Sequence, residues 1–526
     1  MKRLLLILQT LRYLRLIQVV YQLWYRIKNK FVNINQYKVY NNHSVMPLRF
    51  THPELLANTG KCNANLSFTF LNRTHDFDTA VDWNFSGYGK LWNYNLQYFD
   101  FLFDAILAED IKNKLVNDFA VQLLDNKIKP EPYPVSLRLI NWVIYCSRTG
   151  FTSVSVDKAL KQQVCYLENN LEFHIQANHL LENYLSLSVA AVYLQDEKLS
   201  KKAWQGLQQQ LQEQVLKDGA HYECSPMYHC IILSRLLLLL DIVKNNKYRF
   251  FDIQYLSKAA AKMLGWLQAF SFKNGTWAFC NDATDGIVID NKTIFNAAAA
   301  MKIVPEKIIL EDSGYRRISN EYFDVLFDAG DIMPSYQPGH AHSDMLQVVM
   351  NMNNQPFLVD RGISTYEANA LRLQERSTTA HNTIVVDNKN QSVVWSSFRV
   401  GRRAKITWLQ ATESFCSASH NGYQQMGIIH QRTVTLHPRS VVIEDFLESN
   451  KTGKAAEAHF HFHYTVQPVI NNNIINTNAG ASISFKGHEA IELQPYQQAL
   501  GFNKSVDSYK LVVRFSHQLL TQFEAA

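Results

Sequence analysis

The segment 338–387 holds the densest set of side chains that could bind a metal ion or transfer a proton. His340 and His342 are two residues apart and follow a Pro-Gly turn, where a loop meets the scaffold, as functional residues often do. Asp360 ends an apolar run, where a carboxylate is costly unless it is paired or bound, and His381 precedes another apolar run. Two imidazoles and a carboxylate are suitable ligands for zinc or a similar ion, and one histidine would remain free for proton transfer.

Short apolar runs around these residues predict the strands that would position them. The runs are Leu346–Met350, Pro356–Val359 and Thr383–Val386, with a polar turn between the first two. Because side chains two apart on a strand share a face, we expect His340 and His342 to point to the same side.

A second polar cluster, QANHLLENYL at 176–185, opens an otherwise apolar helix. Asn178 and His179 stand at its start, and Glu182 follows one turn later. Helix capping alone would explain the asparagine, and the favourable position of an acid near a helix N-terminus would explain the glutamate. Neither explains His179, which is therefore a candidate functional residue.

A third cluster, DGAHYECSPMYH at 218–229, precedes a very apolar helix. It could be only a polar loop with a proline at the helix start. A tyrosine at such a helix start, facing a cleft, can serve as acid and base if a neighbouring cation lowers its pKa. Tyr228 occupies that position, and His221 or His229 could lie near it.

Two types of periodicity divide the chain. Apolar residues recur at helical spacing from about 91 to 304, whereas glycines and period-two alternation dominate beyond about 310. We therefore predict an α+β multidomain protein: an N-terminal segment at 1–50, a domain of helical hairpins at 51–310 that is compatible with a toroid, and an antiparallel β-sandwich at 311–526. A cleft between the two domains would be a natural place for a site.

Composition and charge narrow the class of protein. A chain of 526 residues exceeds the size at which one core keeps growing, and a content of 12% aromatic residues suits a carbohydrate-binding cleft as well as a core. The net charge of +6 favours an acidic partner. The body of the chain has no dense block of Lys and Arg, so nucleic-acid binding is not indicated. The 7 cysteines are scattered without a CxxC, so neither a disulfide framework nor a cysteine zinc site is expected.

The N-terminal segment MKRLLLILQTLRYLRLIQVVYQLWYRIKNK is basic and amphipathic. Arg12 and Arg15 interrupt its apolar run, and no small-residue cleavage site follows, so it differs from a secretory signal peptide. It is too charged for a simple membrane span. Two interpretations stay open: a helix that makes peripheral contact with a membrane, or a terminal helix packed on the body.

As a set, the motifs of this chain resemble the heparinase II/III-like proteins, relatives of polysaccharide lyases that act on heparan sulfate and alginate. The matching motifs lie between about 91 and 406: LWNYNLQYFDFL, EPYPVSLRLINW, NHLLENYLSLSVAAVYL, DGAHYECSPMYH, PGHAHSDML, LVDRGISTYE, ERSTTAHNTIVVDNKNQSVVW and FRVGRRAKI. The resemblance implies an incomplete α/α-toroid followed by an antiparallel β-sandwich. It also implies β-elimination at a uronic acid, in which the C5 carboxylate is neutralised, the C5 proton is removed and the departing O4 is protonated.

The resemblance assigns roles residue by residue, to be tested against the structure. Asn178 with His179 matches the position that neutralises the carboxylate, Tyr228 the acid and perhaps base, and His340 the catalytic histidine. His342, Asp360 and His381 match the family's metal site, usually structural zinc. Glu182 matches a supporting acidic position, and Arg138 and Arg376 are expected, on charge alone, to meet acidic groups of the substrate.

The leading prediction is therefore a lyase for an acidic polysaccharide. A second interpretation is a uronate C5-epimerase, which would use the same residues without expelling O4. A third is a non-catalytic polysaccharide-binding protein of a glycan-assembly system. The basic N-terminal segment resembles that of family members linked to capsule or exopolysaccharide production. A periplasmic or cell-envelope location is expected on that basis, with a cytoplasmic one open because no cleavable signal peptide is evident.

Overall fold

The computed structural model describes residues 2–37, 45–56, 60–449 and 455–526. Its α-helices are α1 (Lys2–Leu11), α2 (Leu16–Phe31), α3 (Lys90–Tyr98), α4 (Glu109–Leu124), α5 (Pro132–Thr149), α6 (Val154–Asn169), α7 (Ala177–Leu194), α8 (Glu197–Gln214), α9 (Pro226–Asn245), α10 (Ile253–Phe270), α11 (Asn291–Ala300) and α12 (Ala370–Glu375).

The strands near the N-terminus and around the cavity loops are β1 (Lys61–Cys62), β2 (Ser67–Phe70), β3 (Arg73–Asp76), β4 (Tyr315–Ser319), β5 (Phe323–Asp328), β6 (Val348–Met352), β7 (Gln355–Leu358), β8 (Ile384–Val386), β9 (Val394–Trp395) and β10 (Arg399–Val400). The remaining strands are β11 (Ile406–Ala411), β12 (Phe415–His420), β13 (Ile428–Leu436), β14 (Ser440–Ser449), β15 (Ala456–His461), β16 (Pro468–Asn471), β17 (Ile474–Thr477), β18 (Ala481–Lys486), β19 (Ala490–Gly501), β20 (Lys504–Phe515) and β21 (Gln518–Ala525).

The helices of the first half form two layers of hairpins. Helices α3, α5, α7 and α9 pack against one another in succession, and α6, α8 and α10 each pack on the helix that precedes them. The sequence explains this order: α7 and α9 are apolar on nearly all faces and are buried, whereas α8 is amphipathic and presents Gln205, Gln209 and Gln212 to solvent. The arrangement is an incomplete α/α-toroid, as the sequence predicts.

The second half is an antiparallel β-sandwich. Its largest sheet has eight strands in the order β11-β12-β13-β14-β21-β18-β17-β16, and two four-stranded sheets have the orders β19-β20-β15-β8 and β4-β5-β6-β7. Burial alternates residue by residue along β13 and β14, as expected for strands with one face on a core. A common apolar core joins all three sheets, and the α+β fold class is confirmed.

One predicted strand is wrong at its start. The run predicted from Leu346 begins only at Val348, and His340 and His342 lie in the loop before β6. Leu346 has a φ of 60° within a turn in which the Gln347 amide donates to the Asp344 carbonyl at 3.1 Å. This left-handed residue stops the strand from extending towards the histidines. Their shared orientation therefore has another cause, described below.

Two parts of the described chain meet the length and hydropathy criteria of a membrane span. One is α9, but 94% of its apolar window is buried inside the protein. The other is the pair α1 and α2, which qualifies only when the two helices are taken together, and they are bent by 114°.

Candidate active site

A cavity of about 420 Å³ lies where the toroid meets the sandwich. Its helical side is formed by residues of α3, α5, α7 and α9, and its other side by loops of the sandwich half. Aromatic side chains from both halves line it: Tyr94, Tyr98, Tyr133, Tyr366, Phe398 and Phe502. A cavity with aromatic walls and a few polar groups suits the apolar faces and hydroxyl groups of a sugar chain.

Tyr228 and His340 stand together in this cavity. Their ring centroids are 3.9 Å apart, and the Tyr228 and Tyr366 hydroxyl oxygens are 3.1 Å apart. Tyr228 lies in the first turn of α9, where the Ser225 hydroxyl caps the helix by accepting from the Tyr228 amide at 3.3 Å. Burial, reinforced by Tyr366, raises the pKa of Tyr228 well above its ordinary value. The lowered pKa that would let this tyrosine act as base as well as acid is therefore not found. Tyr228 is a proton donor in the resting protein.

Asp282, which sequence analysis did not identify, fixes both histidines of the 338–387 segment. Its carboxylate accepts from His340 Nδ1 at 2.8 Å and from His342 Nε2 at 2.8 Å. Arg372 donates to the same two oxygens at 2.5 and 2.6 Å. Burial opposes ionisation of Asp282, but Arg372 and the two histidines outweigh it and hold the pKa well below its usual range. The shared carboxylate, and not a strand, gives the histidines their orientation.

The two hydrogen bonds also select the histidine tautomers. Because a carboxylate only accepts, His340 carries its proton on Nδ1 and keeps a free lone pair on Nε2, as a general base requires. His342 carries its proton on Nε2, and its Nδ1 is buried without a hydrogen-bond partner. The Asp282 carboxylate thus leaves Nε2 of His340 able to accept a proton and Nδ1 of His342 able to bind a cation.

Asn178 contacts a second carboxylate in the cavity wall. Its Nδ2 donates to both oxygens of Glu223 at 3.0 Å, and its Oδ1 is buried without a partner. Asn178 is the second residue of α7 and not its cap, which is Gln176. Burial raises the pKa of Glu223, although Asn178 and nearby histidines oppose this. The raised pKa favours the neutral form of Glu223, which can donate a hydrogen bond where a carboxylate would repel an acidic sugar.

His179 and Glu182 have supporting contacts. His179 lines the cavity, donates from Nδ1 to Glu172 at 3.0 Å and stacks on Tyr133 at 4.2 Å between centroids. Burial opposes the charged form of His179, but Glu172 prevails and raises its pKa. Glu182 does not line the cavity. It forms an ion pair at 3.2 Å with Arg235, whose side chain does.

The two arginines expected to meet substrate do not face the cavity. Arg138 is 0% exposed and donates to the Gln163 side chain and the Gln97 carbonyl. Arg376 is also 0% exposed and donates to the carbonyls of Ala341, Ser396 and Ser397. Both guanidinium groups connect separate segments of the protein by hydrogen bonds. The sequence shows that a residue is charged, but it does not show whether the charged group binds a ligand or the protein's own backbone. The cations that line the cavity are instead Lys90 and Arg235.

The expected metal ligands are brought together with one change. Nδ1 of His342 and Nε2 of His381 are buried without hydrogen-bond partners, and a carboxylate oxygen of Asp344 lies with them in a group spanning at most 4.8 Å. Asp360 instead accepts from His381 Nδ1 at 2.7 Å, which frees Nε2 to bind. Two orphaned imidazole nitrogens and a carboxylate fit a divalent cation. Asp344 therefore belongs to the group of possible ligands, and Asp360 lies beside it in contact with His381.

Weak sequence signals accompany the residues that were missed. Asp282 follows an apolar run in AFCNDATDG, the same kind of signal that identified Asp360. Glu223 lies inside the cluster at 218–229 that carries Tyr228. No local pattern indicates Arg372 or Tyr366, because their contacts form only when distant segments fold together.

Comparison with known proteins agrees with this architecture. The family model described as Heparinase II/III N-terminus matches residues 153–308, and the model described as Heparinase II/III-like, C-terminal matches residues 304–525. No curated protein sequence matches the chain.

Several solved structures share the fold at low sequence identity. A structure of heparinase III superposes with a TM-score of 0.68 at 15% identity, covering 86% of this chain and 80% of that one. Heparan sulfate lyase HepC from Pedobacter heparinus gives 0.57 at 16% identity, covering 95% and 87%. A chondroitinase AC lyase studied in oligosaccharide complexes gives 0.51 at 10% identity, covering 85% and 78%. The two family models together span most of the chain, and the chain belongs to the heparinase II/III-like family.

Proposed function

We propose that the protein is a polysaccharide lyase that cleaves a uronic-acid-containing polysaccharide by β-elimination. The observation that carries this proposal is the pairing of Tyr228 with His340, ring centroids 3.9 Å apart, in a cavity that also contains Asn178, Glu223 and Arg235. The structural neighbours are named for heparan sulfate and chondroitin, which supports an acidic polysaccharide of that type as substrate. The direct test is the ultraviolet absorbance of the unsaturated uronate that elimination creates.

Each of these cavity residues has a separate role in the proposed reaction. Asn178 and neutral Glu223 donate hydrogen bonds to the C5 carboxylate, and Arg235, which is paired with Glu182, supplies further N–H donors in the cavity wall. His340 Nε2 removes the C5 proton, which the neutralised carboxylate makes more acidic. Tyr228, held in its neutral form by burial, donates its proton to the departing O4. The C5–H and C4–O4 bonds break, a C4=C5 double bond forms, and no water is consumed. His179 and Glu182 position Tyr133 and Arg235 around the sugar.

Glu223 provides a pH-dependent test of this division of roles. Because the neutral form is needed, activity should fall as pH rises through the raised pKa of Glu223. Glu223→Gln keeps a donor and should retain activity within about tenfold while losing that alkaline decline. Glu223→Ala removes the donor and should cost roughly 10²-fold in kcat. The measurement is initial rate against pH.

Glu367→Gln is the matched control, since Glu367 also lines the cavity. It should keep the wild-type pH profile. If Glu223→Gln is as inactive as Glu223→Ala, Glu223 acts as an ionised carboxylate and the proposed role is wrong.

We also propose that His342, His381 and Asp344 bind a structural divalent cation, with zinc the best match to this donor set. Such an ion would brace the loop that carries His340 against the sandwich. Purified protein should contain about one equivalent of metal, and chelation should lower the melting temperature, because a ligand that binds only the folded state stabilises it. His342→Ala should abolish binding, and His517→Ala at an exposed position should not.

Two further variants separate the ligand from its neighbour. Asp344→Asn should remove a direct ligand and most of the metal. Asp360→Asn should leave binding detectable but about 10–100-fold weaker, as expected for loss of a group that orients a ligand. The reverse pattern would make Asp360 the ligand, as the sequence resemblance suggests.

Finally, we propose a periplasmic or cell-envelope location connected with capsule or exopolysaccharide metabolism, with peripheral membrane contact through the N-terminal segment. The basic, apolar character of that segment supports this location. Comparison of activity on the producing organism's own exopolysaccharide with activity on heparan sulfate and alginate would test the substrate.

A further inference from the structure

Helices α1 and α2 are amphipathic, but they turn their apolar faces to solvent and their polar faces to the protein. Nearly half of the exposed large hydrophobic side chains in the described part of the chain lie on these two helices. On α2 they form one stripe at helical spacing, from Leu16 (78% exposed) through Val20, Leu23 and Ile27 to Phe31 (75% exposed). On a water-exposed helix such a stripe would normally face the core.

The opposite face of α2 meets the toroid through polar groups. Gln18 Nε2 donates to the Ile175 carbonyl at 3.5 Å, the Tyr25 hydroxyl to the Leu171 carbonyl at 2.5 Å, and Lys28 Nζ to the Asn169 carbonyl at 2.6 Å. Hydrogen bonds and the ring contacts of Tyr21 with Phe173 and Tyr25 with His174 therefore hold the helix and leave the apolar stripe outward.

Helix α1 repeats this arrangement on the sandwich. Leu4, Leu5 and Leu8 are exposed, whereas the Thr10 hydroxyl accepts from Trp395 Nε1 at 3.1 Å and Gln9 Oε1 accepts from the Arg402 amide at 3.2 Å. The pair is thus fixed to both halves of the protein. A transmembrane path would break these contacts, whereas a bilayer surface could cover the apolar face with all of them in place.

The charge of the segment identifies the kind of surface. No Asp or Glu occurs before Glu54, while Arg3, Arg12, Arg26 and Lys30 are exposed on or beside the two helices. Although Arg15 pairs with Glu213 of the body, every charged side chain of the segment itself is a cation. Apolar side chains with cations beside them match the acyl and headgroup layers of an anionic bilayer. A water-soluble protein partner would have to supply both a large apolar face and a matching negative rim.

We infer that α1 and α2 form an in-plane anchor for an anionic lipid surface. The inference deepens the proposed envelope location and rests on it. At the bend between the helices, Arg15 donates to Gln176 Oε1 at 3.3 Å and stacks on Tyr336 at 3.6 Å. Gln176 caps α7, which carries Asn178. The anchor therefore holds the catalytic cleft in a fixed orientation to the bilayer.

The test is co-sedimentation of the full-length protein with vesicles of phosphatidylcholine alone or mixed with phosphatidylglycerol. We expect binding to the mixed vesicles that weakens with salt. Val20→Glu/Leu23→Glu should lower the partition coefficient about tenfold or more, because two exposed apolar groups can no longer enter the lipid. The matched control is Ile106→Glu/Val304→Glu, two exposed apolar residues elsewhere, and it should bind like wild type.

Three results would overturn the inference: no binding to mixed vesicles, equal binding to both lipids, or unchanged binding by Val20→Glu/Leu23→Glu. A wild-type dimer in solution that this double variant converts to a monomer would instead assign the face to a second copy of the chain. Failure of the lyase proposal is distinguishable: Tyr228→Phe should bind vesicles normally, and the anchor variant should retain activity on soluble glycan.

Discussion

Replacement of Tyr228 by phenylalanine should reduce the rate of chain cleavage by roughly 10²–10⁴-fold, the usual contribution of a positioned proton donor. The substitution removes only the hydroxyl, so the ring stacked on His340 and the first turn of α9 should remain. Initial rates on a soluble polyuronate measure the effect, and circular dichroism checks the fold. Because the proton is transferred only as the C4–O4 bond breaks, the loss should fall on kcat and not on KM.

Tyr366→Phe is the matched control, because its hydroxyl is the hydrogen-bond partner of Tyr228. It should lower the rate much less. The variant Tyr228→Phe should also still exchange the C5 proton with solvent, because His340 Nε2 is intact. Loss of both cleavage and exchange would mean that Tyr228 is the base as well as the acid.

The substitution Asp282→Asn should impair the protein at two levels. It preserves side-chain size but removes the charge that pairs with Arg372, leaving a buried unpaired cation. Breaking a buried pair in this way typically costs about 3–5 kcal/mol of unfolding free energy. The introduced amide group would also place a donor against a ring nitrogen that itself donates, so His340 or His342 must change tautomer. We expect an activity loss of roughly 10²-fold or more and a lower metal content.

Asp285→Asn provides the control in the same loop, at an exposed position. It should change the unfolding free energy by no more than about 0.5 kcal/mol. The measurements are urea unfolding, initial rates and metal analysis on all three proteins. Wild-type rate and metal content in Asp282→Asn would show that the shared carboxylate organises neither site.

The helices and their order could be predicted from sequence because their signal is local. The apolar spacing of α7 and α9, and the Ser-Pro start of α9, depend on residues within one or two turns. The position of Tyr228 at a helix start followed from this pattern. The family resemblance then placed Asn178 and His340 in the same cavity, where the structure has them.

The remaining features depend on contacts between distant segments. Asp282 meets Arg372 across 90 positions of the chain, and no local pattern records such a pair. Burial of Arg138 and Arg376 is likewise a property of the folded interior, so their charge misled the sequence prediction. The place of Asp344 beside His342 and His381 depends on the loop before β6, which a strand prediction does not contain.

The central claim is that the cavity performs β-elimination, and one measurement tests it most directly. Purified protein is offered alginate, heparan sulfate and the producing organism's own exopolysaccharide while the absorbance of unsaturated uronate is followed. We expect a rise on at least one of these glycans that Tyr228→Phe reduces roughly 10²–10⁴-fold. No rise on any of them, together with C5 proton exchange on one, would contradict elimination and identify a uronate epimerase. Binding without either signal would identify a non-catalytic polysaccharide-binding protein.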